Sequence, residues 1–248
     1  MIKIIFILSA VFFLGSLNSY SQQANITNKN YVESDNGYSI NVVYPQIDFG
    51  PDALMGMRGV AGDINLALDT LVMKQVHIFK SWVSETGEKK SGIKGKNELT
   101  ISYDTVYYNS NFFSFRFHVF SSPAIAAHPY TYDVSFNYCP TSSSGLLKIS
   151  DLFIPNSGYL VYISNQCILT LRNTAKANGL KDADEMIIKG AKPDTSSFEV
   201  FNVKKDSLVI VFNPATVLPS VYGIQTISIP LTDLKGMIDI KGPLMEIK

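Results

Sequence analysis

From Phe113 the chain alternates without a break. Phe113, Phe115, Phe117 and Val119 are apolar, and Ser114, Arg116 and His118 between them are polar. Successive side chains of a strand point to opposite faces, so this run is a strand with one face in a core and one polar face. The same period recurs at 38–44, where Tyr38, Ile40, Val42 and Tyr44 alternate with Ser39 and Asn41, and at 130–138, where Tyr132, Val134, Phe136 and Tyr138 alternate with Asp133, Ser135 and Asn137. Two other stretches keep helical time. Ile64, Leu68, Val72, Val76, Phe79 and Val83 recur at three and four, widened by Leu71 and Trp82, which predicts an amphipathic helix over 63–84. Leu160, Ile163, Cys167 and Leu171 predict a second helix, opened near Asn156 or Ser157 and stopped at Asn178-Gly179.

Further strands are expected at 98–108, joined to the next by an Asn109-Ser110-Asn111 turn, and at 198–203, 207–212 and 223–231. Seven or eight strands adjacent in sequence, with two long helices, predict an α+β fold: a mainly antiparallel sheet with the helices packed on it. The stretch 22–36 is polar and patternless and is expected as a flexible leader. The stretch 50–62 holds five residues that are Gly or Pro and is expected as a loop. The expected domain is 37–248, with halves at 37–140 and 141–248 as the alternative division.

The first 21 residues set the compartment. Lys3 is followed by a short apolar run over 4–17, and Ser19-Tyr20-Ser21 places small residues at the positions that signal peptidase reads. A membrane span needs about 20 apolar residues, so a cleaved signal peptide with a cut near Ser21 is expected, leaving a periplasmic or secreted chain with no membrane anchor. Lys3 is the only charged side chain there, so the released chain holds one basic residue fewer than its 21 acidic ones. That balance offers no footprint for nucleic acid. The Lys89, Lys90, Lys94 and Lys96 cluster reads as a solvated turn.

Catalytic signatures are scarce. His77, His118 and His128 show no metal-ligand spacing, and neither H-E-x-x-H nor C-x-x-C occurs, so no metal and no cofactor is expected. No G-x-S-x-G elbow is present. Gly56, Gly59 and Gly62 precede the first helix, but their spacing departs from G-x-G-x-x-G, so a structural loop is favoured over anion binding. Export permits a Cys139–Cys167 disulfide, closing a loop of about 29 residues. Cys167 lies on an apolar stripe, which favours two separate buried thiols. The 13 tyrosines are the remaining feature. Tyrosine combines a flat apolar face with a polar tip and serves both as a strand residue and as a binding residue.

Several segments in order resemble the PdaC/RsiV-like domains. They are Tyr44-Pro45-Gln46-Ile47 followed by Ile64-Asn65; Phe113-Ser114-Phe115, then Ala127-His128-Pro129; Asn137-Tyr138 with Lys148-Ile149-Ser150-Asp151-Leu152-Phe153; and, near the end, Ser207 to Pro214, Tyr222-Gly223-Ile224 and Ile227-Ser228-Ile229-Pro230. The resemblance covers 37–237. It implies an α+β domain outside the cytoplasmic membrane that recognises rather than catalyses, as in the lysozyme-sensing part of certain anti-sigma factors and the module beside peptidoglycan deacetylase domains. Ala124-Ile125-Ala126-Ala127 replaces the family's glycine-rich turn, and Cys139-Pro140 with Ser142-Ser143-Ser144 replaces an acidic residue and a Thr-Gly-Lys-like turn. With three residues before the apolar run, no cytoplasmic segment for an anti-sigma role is expected, and no deacetylase domain is expected to follow.

The expectation is therefore a non-enzymatic recognition domain for an envelope or extracellular protein, lysozyme-like in one version, or for a peptidoglycan component. His128, Tyr130, Tyr132 and Tyr222 are its candidate ligand residues, and no catalytic residue is named. One alternative is a cell-wall glycan or peptide hydrolase using His128, Asp133 and Asp151. Another is a structural subunit of an envelope complex.

Overall fold

The computed structural model describes residues 23–35, 37–87, 96–122 and 128–247. The expected signal peptide, Lys89, Lys90, Lys94 and the 124–127 turn lie outside the described residues. The chain is α+β, as the periodicity predicts, but it builds two sheets rather than one. The first runs in the order β1-β2-β3-β4-β5, from β1 (Asn25–Ser34), β2 (Tyr38–Asp48), β3 (Asn97–Tyr108), β4 (Phe113–Ser122) and β5 (Tyr130–Tyr138). All its neighbours are antiparallel except β2 and β3, which run parallel on either side of the long helix α1 (Met55–Gly87). A parallel pair needs a crossover of a dozen or more residues, and α1 supplies it.

The second sheet is antiparallel in the order β6-β7-β8, from β6 (Phe201–Val203), β7 (Ser207–Phe212) and β8 (Gln225–Pro230). It packs with α2 (Tyr159–Ala177), the short α3 (Asp184–Gly190) and α4 (Leu231–Leu234). Each sheet has its own core. Ile64, Leu68, Val72 and Val76 of α1 meet Ile40, Val42, Phe115 and Phe117 in the first. Ile163, Cys167 and Leu171 of α2 meet Phe198, Leu208, Ile210 and Ile229 in the second.

Two expectations are corrected. The 22–36 leader is not patternless chain: Asn25–Ser34 form the edge strand β1, paired along its whole length with β2. Its alternation escapes a hydrophobicity reading because the half-buried positions include Lys29 and Glu33, which bond to α1. Lys29 Nζ lies 2.9 Å from Asp69 Oδ1, and Lys80 Nζ lies 2.6 Å from Glu33 Oε2. Inward-pointing charge is one way an edge strand avoids pairing with another chain.

The 50–62 loop ends early, because α1 already begins at Met55 and Gly56, Gly59 and Gly62 lie inside it. A Cβ at any of the three would meet nothing within 4 Å. No close approach demands these glycines, and a glycine costs a helix only about 1 kcal/mol. A phosphate-cradling loop is therefore not formed. Cys139 and Cys167 are two free, buried thiols, as the favoured reading has it, and the alternative disulfide is not formed. Burial pushes the Cys167 thiol up to about 12, and Cys139 Sγ sits 3.1 Å from Thr141 Oγ1.

The turn between β3 and β4 forms where Asn109-Ser110-Asn111 predicts it. The Asn109 carboxamide oxygen accepts from the backbone N–H groups of Asn111 and Phe112, both at 2.8 Å. This local closure is the reason asparagine favours turns.

Candidate functional site

The hairpin of β4 and β5 presents two faces, and each builds a different kind of polar arrangement. The face carrying Ser114, Arg116, His118, Asp133, Ser135 and Asn137 is polar in sequence, yet it does not look onto solvent. It is covered by the second sheet. Ser114, Asn137 and Asn202 are buried, and every polar end is used. Asn202 Nδ2 donates to Ser114 Oγ at 3.1 Å and to the carbonyl of Phe115 at 2.9 Å. Ser114 Oγ donates to Asn137 Oδ1 at 2.8 Å, and Asn137 Nδ2 donates to the carbonyl of Phe201 at 2.8 Å. Arg116 Nε donates to Asn202 Oδ1 at 3.1 Å. Asn213 clasps the backbone of Asp133, accepting its N–H at 2.7 Å and donating to its carbonyl at 3.0 Å. Buried polar groups cost free energy unless paired, and here the pairing joins the two halves.

At the rim of this seam His118 lies between two carboxylates. Its Nδ1 is 2.7 Å from Asp133 Oδ1 and its Nε2 is 3.0 Å from Asp104 Oδ2. Arg116 Nε stands 4.0 Å from Asp133 Oδ2. Burial alone draws the imidazole down, but the hydrogen bonds and charges of Asp104 and Asp133 outweigh it, and His118 titrates above its ordinary 6.5. With a carboxylate on each ring nitrogen, neither is free to take a proton from a substrate. The geometry is that of a structural ion pair, since a general base needs an open nitrogen within reach of its substrate.

The opposite face is apolar and packs against α1, and where it runs out a pocket forms. Gln75, Ile78, Phe79 and Trp82 of α1, Leu99 of β3, Ser121 of β4, and Tyr130 and Tyr132 of β5 line a cavity of about 240 Å³. The strand register brings the last three together, because Ser121 pairs with Tyr130 and Val119 with Tyr132. Tyr132 is half-buried, its hydroxyl titrates high because of burial, and it donates to Gln75 Oε1 at 2.9 Å. Gln75 is only 8% exposed, and its other amide end makes no hydrogen bond among the described residues. Tyr130, 58% exposed, and Ile78 form the outer lip. A groove along the outside of α1, past Met73 and His77, shares Ile78 and Trp82 with the pocket.

Two of the four residues expected at a ligand site, Tyr130 and Tyr132, thus line one pocket. His128 does not join them: it is exposed just before β5 and makes no hydrogen bond or ion pair among the described residues. Tyr222 lies in the 3-10 turn Ser220–Tyr222 and packs on the second core. The hydrolase set is not assembled either. Asp133 is engaged by His118, and Asp151 accepts the backbone N–H of Lys148 at 2.8 Å at the start of the turn Ile149–Leu152. No group of three or more His, Cys, Asp or Glu among the described residues is placed to hold a metal ion. A larger cavity of about 450 Å³ between α3 and β7 contains none of the four expected residues.

Gln75 was not among the expected residues, although the helical period marks it. Leu68, Val72, Gln75, Phe79 and Trp82 share one stripe, and a glutamine on a core-facing stripe is a buried polar group in need of a reason.

Comparison with known proteins agrees with this architecture. Residues 150–232 match the family model described as a protein of unknown function, DUF3298. Over 172 residues the chain is 24% identical to the peptidoglycan-N-acetylmuramic acid deacetylase PdaC of Bacillus subtilis (strain 168), covering 69% of this chain and 35% of that relative's length. The kinship expected with the PdaC-like domains is shown at that level. Two solved structures share the fold. A DUF3298 family protein of Pseudomonas aeruginosa PAO1 superposes with a TM-score of 0.56 at 10% identity, covering 88% of this chain and 94% of that one. A DUF3298 family member of Bacteroides fragilis NCTC 9343 gives 0.55 at 14% identity, covering 90% and 96%. The matched segment 150–232 contains α2, the second sheet and the seam residues Asn202 and Asn213, whereas the aromatic pocket lies outside it.

Proposed function

We propose that this chain is a non-enzymatic recognition domain working outside the cytoplasmic membrane, and that it binds a cell-wall component or an extracellular protein through the pocket of Trp82, Tyr130 and Tyr132. The observation that carries this reading is the pocket itself: a concave, aromatic-lined site with a few convergent polar groups, the usual form of a ligand site. The export signature expected at 1–21 and the kinship with a protein named for peptidoglycan support the location. No helix among the described residues is long and apolar enough to cross a membrane. The His118 arrangement favours recognition over hydrolysis, because both ring nitrogens are engaged.

The test uses the mature chain, residues 22–248. It is sedimented with purified peptidoglycan and, in parallel, passed over immobilised lysozyme. Saturable binding to one of them is expected. Trp82→Ala and Tyr130→Ala should each weaken it about 30-fold, the size of a binding hot spot of ~2 kcal/mol, with circular dichroism unchanged. Binding to neither, or binding indifferent to both substitutions, refutes the reading. Chemical change in the recovered muropeptides would put the hydrolase in its place.

A further inference from the structure

We infer, on the reading that the pocket is a recognition site, that its ligand is a single uncharged sugar ring carrying an acetamido group, an N-acetylhexosamine unit. Size is the first argument. Pockets for drug-sized ligands span roughly 300–1,000 Å³, so a cavity of about 240 Å³ holds one ring with a small substituent, not an extended ligand. Charge is the second. The described residues that line it are Gln75, Ile78, Phe79, Trp82, Leu99, Ser121, Tyr130 and Tyr132, and none is ionised at neutral pH. A phosphate, carboxylate or ammonium would lose its water here without gaining a counter-charge from the described residues.

Shape and polarity narrow the choice further. Tyr130 and Tyr132 offer flat faces with polar tips, which suit a molecule with a C–H face and a polar edge. Gln75 supplies the decisive group. The Tyr132 hydroxyl donates to its Oε1, and the NH₂ of this nine-tenths buried residue has no partner among the described residues. An occupant that covers this donor without bringing an acceptor would strip it of water at a cost, so an occupant with an acceptor is favoured. An amide carbonyl is the strong acceptor that carries no net charge. The Ser121 hydroxyl, which also makes no hydrogen bond among the described residues, is there to accept the amide N–H. Ile78 and Leu99 give the acetyl methyl an apolar seat. A leucine or phenylalanine side chain of a protein partner would fill the space but leave the Gln75 donor orphaned.

The chain holds one tryptophan, Trp82, which lines both this pocket and the groove along the outside of α1. Intrinsic fluorescence therefore reports on ligand bound at this end of the helix, and the Gln75 and Tyr132 variants separate the two. The mature chain is titrated with chitotriose, with its de-N-acetylated form and with cellotriose. A saturable change for chitotriose, at least tenfold tighter than for the other two, is expected. Gln75→Leu should abolish that preference, and Tyr132→Phe, which frees the Gln75 amide to turn, should weaken it while circular dichroism confirms the fold. Equal affinity for the three sugars, or a preference untouched by either substitution, overturns the ligand assignment. Intact peptidoglycan fragments and lysozyme are run beside them. If either binds in a Trp82-dependent way while chitotriose neither binds nor competes, the sugar assignment fails and recognition stands. If nothing binds, both fail.

Discussion

The two faces of the β4–β5 hairpin differ in how they spend their hydrogen bonds. On one face Ser114, Asn137, Asn202 and Asn213 use their donors and acceptors on one another and on backbone, and the two halves of the molecule are joined. On the other face Gln75, which lines the cavity, uses one end on Tyr132 and has no partner for the other among the described residues. Both contain buried polar side chains, and burial alone would not separate them. The balance of partners does: a satisfied network fixes structure, and an unspent donor marks a place for a ligand.

Removing a member of the seam should therefore have the largest effect on folding and none on the pocket. Asn202→Ala strips buried partners from Ser114, Phe115 and Arg116, and a loss of about 3 kcal/mol is expected, since each orphaned buried group costs ~1–3 kcal/mol. The shift of the urea midpoint at constant slope reads it. Chitotriose affinity, measured well below that midpoint, should stay within twofold of wild type.

Tyr130→Ala reverses the pattern. Its side chain is mostly exposed, so stability should move by no more than about 0.5 kcal/mol, while ligand affinity falls about 30-fold. If Tyr130→Ala unfolds the chain, or Asn202→Ala abolishes binding in folded protein, the division of labour between the faces is wrong.

A smaller effect is expected from pH. His118 has a raised pKa in the folded chain, so the folded state binds its proton more tightly than the unfolded state. The stabilisation is complete below about pH 6.5 and is lost as pH rises through the raised value. His118→Gln should flatten the dependence of the urea midpoint over that window and leave ligand affinity unchanged.

The smallest effect belongs to the edge strand. Hydrogen bonds from Lys80, Tyr31 and Tyr38 hold Glu33 at about 2, well below the carboxylate range. The sign is opposite to that of His118: its contribution is present above about pH 4.5 and lost as pH falls toward 2. Glu33→Gln should lower the midpoint slightly at pH 7, where that contribution is present, and flatten its fall in acid.

The residues explain how much of this the sequence makes legible. The alternation at 113–119 and the helical stripes at 64–83 and 160–171 are local, and each produced its element. The edge strand β1 is not legible from hydrophobicity, because its inward positions include Lys29 and Glu33, whose partners Asp69 and Lys80 lie 40 and 47 residues away. The division into two sheets is hidden for the same reason. It depends on Asn202 meeting Ser114 and on Asn213 meeting Asp133, contacts 88 and 80 residues apart.

At the pocket, Tyr130 and Tyr132 stand out by type, whereas Gln75 and Ser121 reach them only through the crossing of α1 over the sheet. The polar face of β4 misleads in a simple way. A polar stripe predicts solvent, and here it predicts a buried partner equally well.

The most direct test maps where ligand is felt. Amide chemical-shift changes on adding peptidoglycan fragments to the labelled chain of residues 22–248 should cluster at Gln75, Ile78, Trp82, Ser121, Tyr130 and Tyr132. Changes clustered instead at Asp104, His118, Asp133, Asn202 and Asn213 would contradict the account, and would make the seam the site and the pocket a packing gap.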